Sequence, residues 1–278
     1  MEARGDLDGS IHALEQGLSL AIPGALFPTD VEIEFAKIYN NLSNRLSKIG
    51  KTEAALDAAT TAVKIASEIS TKNDYDGREL LAYCENTLAG RYMEALDADS
   101  AIVHLQRSVD LRFELSEDHE DLHGPYYCIS LINLASVMLS LGQVDRAESI
   151  AEKSCNISAR LYEARPAAFW EHFARSRMIF GIVKADLGDI DVAHLSFHGA
   201  IFALLDEFSQ NPESNSDLMM ELLDCYFDAC REGNKAIDEP LIERVVQESS
   251  PINEDTSTSQ KILDHIGQIQ SALNLAQR

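Results

Sequence analysis

The stretch INLASVMLSLGQVDRAESIAEKS, residues 132–154, decides the fold. Apolar residues at helical spacing (Leu134, Met138, Leu141) run up to Gly142, and a second such run (Val144, Ala147, Ala151) begins just beyond it. Apolar positions recurring at three- and four-residue intervals mark an amphipathic helix. Glycine between two such runs suits the left-handed residue that ends one helix and lets the chain reverse. The same arrangement recurs around Gly50 in NNLSNRLSKIGKTEAALDAATTAV, residues 40–63. Both stretches read as helix, turn, helix.

The spacing of these turns is regular. Gly142 and Gly188 lie 46 residues apart, and Gly50 lies twice that distance before Gly142. The position between them falls at Leu96, and one further step beyond Gly188 reaches Asn234, a residue type that tolerates a left-handed backbone. Gly5, 45 residues before Gly50, extends the series toward the start of the chain. Other columns keep this register. Five residues past each turn stand Ala55, Ala101, Ala147 and Ala193, with Ser10 first, and twelve past stand Ala62, Ser108, Ser154 and Ala200. Eight before are Leu42, Leu88, Leu134 and Phe180, each followed by a small residue: Ser43, Ala89, Ala135 and Gly181. Small residues in register let paired helices approach closely, so the chain reads as a stack of similar helix pairs.

Three residues past every turn stands an acid: Asp8, Glu53, Asp99, Asp145 and Asp191. That is the first turn of a helix, where a carboxylate meets unsatisfied N–H groups and the positive end of the helix dipole. The column is structural, not a row of catalytic acids.

Composition agrees with an all-α class. In 278 residues there are 7 prolines and 14 glycines, and 45% of residues are hydrophobic. The formal charge of −23 disfavours nucleic acid and anionic membranes as partners. Acidity is uneven, with eleven acids against four bases over residues 75–120 and thirteen against five over residues 213–278. The number of cysteines is odd (Cys84, Cys128, Cys155, Cys225, Cys230) and no CxxC occurs, so they read as small buried hydrophobes in a reducing compartment. The acidic N-terminus lacks a signal-peptide core, and Tyr126–Leu141 is too short and too polar to span a bilayer. A cytoplasmic location is expected.

The quoted segments resemble tetratricopeptide (TPR) repeats, with leucine then a small residue, a turn glycine and a spaced alanine pair. They are most similar to the extended repeats of kinesin light chains and of bacterial and fungal signalling proteins. The resemblance covers about residues 5–210 well and 215–250 weakly. It implies a right-handed superhelical solenoid of antiparallel helix pairs. The common TPR repeat is about 34 residues, so a longer period means added helical turns in each pair. The series also opens at a turn, so the first repeat would lack its first helix, either as a piece of a longer protein or as a minimal cap.

The expected layout is a lone helix near residues 9–22, then pairs near 30–48 and 52–70, 77–95 and 98–116, 125–141 and 144–162, 167–187 and 190–209. A degenerate pair follows near 216–232 and 239–249, then a polar loop over 249–259 and a capping helix near 258–276 carrying Ile262, Ile266, Ile269, Leu273 and Ala276. The domain expectation is one repeat domain over 1–250 and a linker with cap over 251–278.

In TPR proteins the first helix of each pair lines a concave surface that holds an extended peptide. Carried over by register, the candidate contacts here are Lys37, Asn40, Asn41, Asn44, Tyr83, Asn86, Thr87, Asn133, Ser136 and Arg175. Asparagine is disfavoured in helix interiors, so its clustering needs a reason. It offers donors and an acceptor to a peptide backbone, and inter-helix bonding or solvation is the other reading. The lysine-and-asparagine clamp of chaperone-tail receptors is matched only at Asn44 and Asn133, which disfavours that role.

His194 and His198 have the four-residue spacing of a metal pair, but no third ligand stands nearby. His119 and His123 read as solvated in an acidic loop whose core, Glu117–Asp121, holds four acids in five residues and could dock a basic partner. No P-loop, GxGxxG, GxSxG or EF-hand occurs, so no catalytic residue, metal or cofactor is assigned. The function expected is a protein- or peptide-binding module, alone or as part of a larger signalling or scaffold protein. The alternative is a regulatory or sensor domain acting on an effector enzyme.

Overall fold

The structure, a computed structural model, describes residues 2–19, 27–71, 74–249 and 261–268. Every regular element among them is a helix. In chain order these are α1 (Glu2–Ser19), α2 (Thr29–Lys48), α3 (Thr52–Ser70), α4 (Asp74–Glu94), α5 (Ala98–Asp118) and α6 (Glu120–Ser140). Then come α7 (Val144–Ala164), α8 (Pro166–Asp186), α9 (Ile190–Gln210), α10 (Pro212–Glu232) and α11 (Glu239–Ser249). A last helical segment, α12, covers 261–268.

The helices gather into two compact units, residues 1–137 and 138–278. Within the first unit α1 packs on α2, α2 on α3, α3 on α4 and α4 on α5. Within the second, α7 packs on α8, α8 on α9, α9 on α10, and α11 against α9. This neighbour-by-neighbour packing is that of a repeat array, an all-α solenoid of helix pairs.

All five turn positions from Gly50 onward adopt the left-handed backbone. Their φ angles are 76° at Gly50, 62° at Leu96, 69° at Gly142, 80° at Gly188 and 47° at Asn234. Each is followed by the same closing bond. Lys51, Asp97, Gln143, Asp189 and Lys235 each donate a backbone N–H to the carbonyl five residues earlier, at 2.8–2.9 Å. This bond ties off a helix C-terminus and satisfies one of its orphan carbonyls. The acids Glu53, Asp99, Asp145 and Asp191 then fall in the first turn of the next helix. Asp97 and Asp189 add side-chain caps, accepting from the N–H of Ser100 and Val192.

A second column escaped the sequence reading. His119, Arg165 and Asn211, again 46 apart, leave the helical region with φ near −140° and break the chain between pairs. Pro166 and Pro212 follow two of these breaks and open the next helices. Proline suits the first helical turn because its missing N–H would be unpaired there anyway. From α4 to α10 each helix has 21 residues, separated alternately by three-residue turns and one-residue breaks, which accounts for the long repeat.

The packing columns are buried as the register requires. Ala55, Ala101, Ala147, Ala193, Ala62, Ser108, Ser154 and Ala200 have no exposure. Leu42, Leu88 and Leu134 are buried before them, while Phe180 is half-buried.

Four expectations are corrected. Gly5 and Asp8 lie inside α1, which starts at Glu2, ahead of the expected turn at Gly5, so the series of turns begins at Gly50. Residues 117–121 form no loop, because α5 runs to Asp118 and α6 starts at Glu120 with only His119 between. His123 is accordingly a fully buried residue of α6. Finally, residues 122–140 make a helix long and apolar enough to cross a membrane by length and composition, and most of it is buried, which accounts for its apolarity. The polar loop lies outside the described residues, apart from Ser249 at the end of α11. So do Ile269, Leu273 and Ala276 of the expected cap, whereas Ile262 and Ile266 on α12 are buried and His265 pairs with Asp224 of α10 at 2.9 Å.

Leu96 is the turn residue without a reason to be leucine. It is 92% exposed and held at φ 62°. A side chain in this region costs roughly 1–2 kcal/mol, part of which glycine gives back through the entropy of the unfolded chain. Leu96→Gly should therefore stabilise the chain by about 0.5–1 kcal/mol, read as a higher urea midpoint. A lower midpoint would mean that the leucine side chain contributes packing the structure does not show.

Candidate functional site

The inward faces of α2, α4 and α6 in the first unit carry two adjoining open cavities. The larger, about 760 Å³, is bordered by Lys37, Asn41, Glu79, Tyr83, Arg112 and Tyr126, among others. The smaller, about 540 Å³, is bordered by Asn44, Tyr83, Asn86, Thr87, Asn133 and Ser136, with further residues at its edge. Tyr83, 41% exposed, borders both and makes them one continuous surface. Eight of the ten expected contact residues thus meet along three consecutive first helices.

Asn86 and Asn133 form the centre of the smaller cavity. Asn133 Nδ2 donates to Asn86 Oδ1 at 3.0 Å, which joins α4 to α6. That bond uses one polar atom of each amide. The pair keeps one N–H₂ group and one carbonyl oxygen, which together match the C=O and N–H of one extended peptide residue.

The two remaining candidates stand elsewhere. Asn40 has no exposure, and neither its Oδ1 nor its Nδ2 has a hydrogen-bond partner, so it offers nothing to a groove. In its column, ten before the turn, Ile132 and Met178 of the third and fourth repeats are buried as well, while Asn86 of the second is half-buried. Arg175 lies in the second unit and pairs with Glu171 one turn back along α8 at 2.8 Å. Two others are less available than their register implies. Thr87 is 8% exposed, and its hydroxyl donates to the Tyr83 carbonyl of its own helix at 3.3 Å. Lys37 is exposed and pairs with Glu34 at 2.9 Å.

Sequence reasoning missed Arg112. It reaches the larger cavity from α5, a second helix of a pair, and is only 4% exposed. Its guanidinium carbon lies 4.7 Å from the centre of the Tyr126 ring, a cation–π contact. Burial pulls its pKa below the ordinary value, and the nearby Glu79 carboxylate opposes that most. A signal existed: the residues in its column, sixteen past the turn, are Ala66, Ser158 and Leu204, all fully buried. A charge in such a column is an anomaly worth following.

The histidines serve the fold. His198 Nε2 lies 2.8 Å from Asp238 Oδ2, and the His194 ring packs on Tyr226 with centroids 5.0 Å apart. Asp238 also accepts from the N–H of Leu241 at the start of α11, and these bonds hold its carboxyl below the usual range. His123 pairs with the Tyr75 hydroxyl at 2.6 Å, and burial lowers its pKa. Among the described residues no group of three or more His, Cys, Asp or Glu is placed to share a metal ion. All five cysteines are free and only Cys225 is partly exposed. Burial pushes the Cys84 thiol up to about 12 and Cys155 to about 11, so both stay protonated and unreactive.

Solved structures with this arrangement of helices decide what kind of repeat it is. BtubC (BKLC) from P. vanneervenii superposes with a TM-score of 0.65 over 99% of this chain and 93% of that one, at 14% identity. A putative kinesin light chain from P. anserina, described as having nearly identical TPR-like repeats, gives 0.55 over 87% and 97%, at 16% identity. The fold is of the TPR type. The apo form of RapI gives 0.58 over 99% of this chain and 89% of that chain, also at 16% identity. No family model and no curated protein sequence matches the chain. At these identities the likeness is one of fold. In the TPR-type repeats of this chain the positions of Asn86 and Asn133 are taken in the second unit by Met178 and Ile179, which are buried.

Proposed function

We propose that this chain is a protein-binding module and that the inward face of α2, α4 and α6 holds an extended peptide segment of its partner. The carrying observation is the Asn86–Asn133 pair, which presents one free donor and one free acceptor inside the smaller cavity. Asn41, Asn44 and Tyr83 continue the same surface, offering further amides and an exposed ring. Amides bond a main chain whatever its sequence, so they contribute affinity, while Tyr83 and the neighbouring cavity select side chains. The polar lining described combines amides and tyrosines with Lys37, Asp76, Glu79 and Arg112 rather than an activated nucleophile beside a base, which favours binding over catalysis. Five free thiols, mostly buried, suit a reducing compartment such as the cytoplasm. A scaffold or signalling role within a larger assembly is consistent with such a module.

The test uses a peptide selected from a phage-displayed random dodecapeptide library on the immobilised chain. Titrated by fluorescence anisotropy, it should bind the Asn41→Ala, Asn133→Ala double variant roughly tenfold more weakly, the sum of two hydrogen bonds of about 0.7 kcal/mol each. Equal affinity for variant and parent would remove the groove as the site.

A further inference from the structure

The larger cavity holds a polar group the fold leaves unanswered. Arg112 is 4% exposed, and its Nη1 has no hydrogen-bond acceptor among the described residues. The other three repeats fill this position with Ala66, Ser158 and Leu204, so the packing of a second helix does not call for a charge here. A guanidinium stays charged even when burial disfavours it, and leaving one of its donors unbonded is costly. The cation–π contact with Tyr126 holds the group at the cavity without using any of its N–H donors.

We propose that Arg112 is a specificity residue that accepts a carboxylate side chain of the bound peptide, an aspartate or glutamate, in the larger cavity. The inference rests on the peptide-groove reading and adds the chemistry of one ligand position. A carboxylate oxygen supplies the acceptor that Nη1 lacks, and the rings of Tyr83 and Tyr126 border the same cavity, where the ligand's stem has apolar surface to meet. Lys37 stands at that cavity as a second cation. Asp76 and Glu79 border it too, and they balance the two cations so that the empty cavity is not strongly charged. A basic ligand side chain would meet those carboxylates but would add a third cation and still leave Nη1 without an acceptor.

The probes are three fluorescein-labelled undecapeptide pools, randomised without Asp, Glu, Lys or Arg, with glutamate, glutamine or lysine fixed at the centre. Parent chain should bind the glutamate pool roughly tenfold more tightly than the glutamine pool, the size of one charge-assisted hydrogen bond. In Arg112→Gln that preference should shrink to about twofold or less, while Arg112→Lys keeps an intermediate preference. If Arg112→Gln does not fold, the Arg112 side-chain Nε–H resonance of the parent chain decides: it should shift with the glutamate pool and not with the glutamine pool. Equal binding of these two pools, a preference for the lysine pool, a preference that survives Arg112→Gln or an unmoved Arg112 resonance overturns the assignment. The groove reading then stands only if binding still weakens in the Asn41→Ala, Asn133→Ala variant. Failure of every pool to bind overturns both.

Discussion

Phe197→Ala should lower the stability of the chain by about 3–5 kcal/mol, the usual range for emptying a fully packed aromatic site. Phe197 is 2% exposed on α9, and its ring lies directly over Gly181 of α8. A methyl group built on Gly181 would stand 2.5 Å from the Phe197 ring, well inside contact distance. Gly181→Ala alone should therefore cost ~1–3 kcal/mol through overpacking. The two changes share one space, so combining them should cost less than their sum, because the alanine methyl enters room the ring has left. Urea unfolding of the four chains gives the cycle. Strict additivity would show that the ring and the glycine do not touch.

Gly77→Ala should be the most damaging of the small substitutions, at ~1–3 kcal/mol or more. Its added methyl would lie 2.5 Å from the Cα and 2.8 Å from the N of Ser70, at the end of α3. A side chain can turn aside, but this neighbour is backbone, so the end of α3 and the start of α4 would have to separate. Beneath them Ile69 is fully buried. Gly199→Ala is the matched control, since nothing lies within 4 Å of the new methyl and α9 is helical on both sides of it. That change should raise stability by up to about 1 kcal/mol through helix propensity alone. A Gly77→Ala chain as stable as its parent would mean that α3 and α4 are not locked at this crossing.

These two glycines show where sequence reading stops. Gly181 was visible as a member of a small-residue column, and Gly50, Gly142 and Gly188 were visible as turns, because periodic placement repeats the same physical demand. Gly77 belongs to no column, and its contact with Ser70 depends on how two helix ends approach. The breaks at His119, Arg165 and Asn211 are periodic in backbone angle but not in residue type, and only Pro166 and Pro212 after two of them mark the column. Reading residues 117–121 as a loop failed for the same reason: four acids suggest solvent, yet a single extended residue is enough to separate two long helices.

The candidate site was legible as a stripe but not as a set of partners. Asn41, Asn44, Asn86 and Asn133 were placed on one face by register, and the cavities lie there. Register cannot tell whether an amide stands open in a groove or is buried in the packing, and Asn40 is fully buried. Nor could it reveal Arg112, which comes from the other helix of its pair and is distinguished only by interrupting a buried column. Carrying over first-helix positions alone captures the walls of such a groove and misses what rises through its floor.

The most direct test of peptide binding on this face is a ¹⁵N-resolved NMR titration of the chain with the phage-selected peptide, following side-chain amides and backbone together. The perturbed resonances should include the side chains of Asn41, Asn44, Asn86 and Asn133 and the backbone around Tyr83. The exposed Gln106 and Asp110 of α5, which bond each other at 2.9 Å, should stay still. Perturbations centred on Gln106 and Asp110 or confined to the second unit, with the four amides unmoved, would contradict the account.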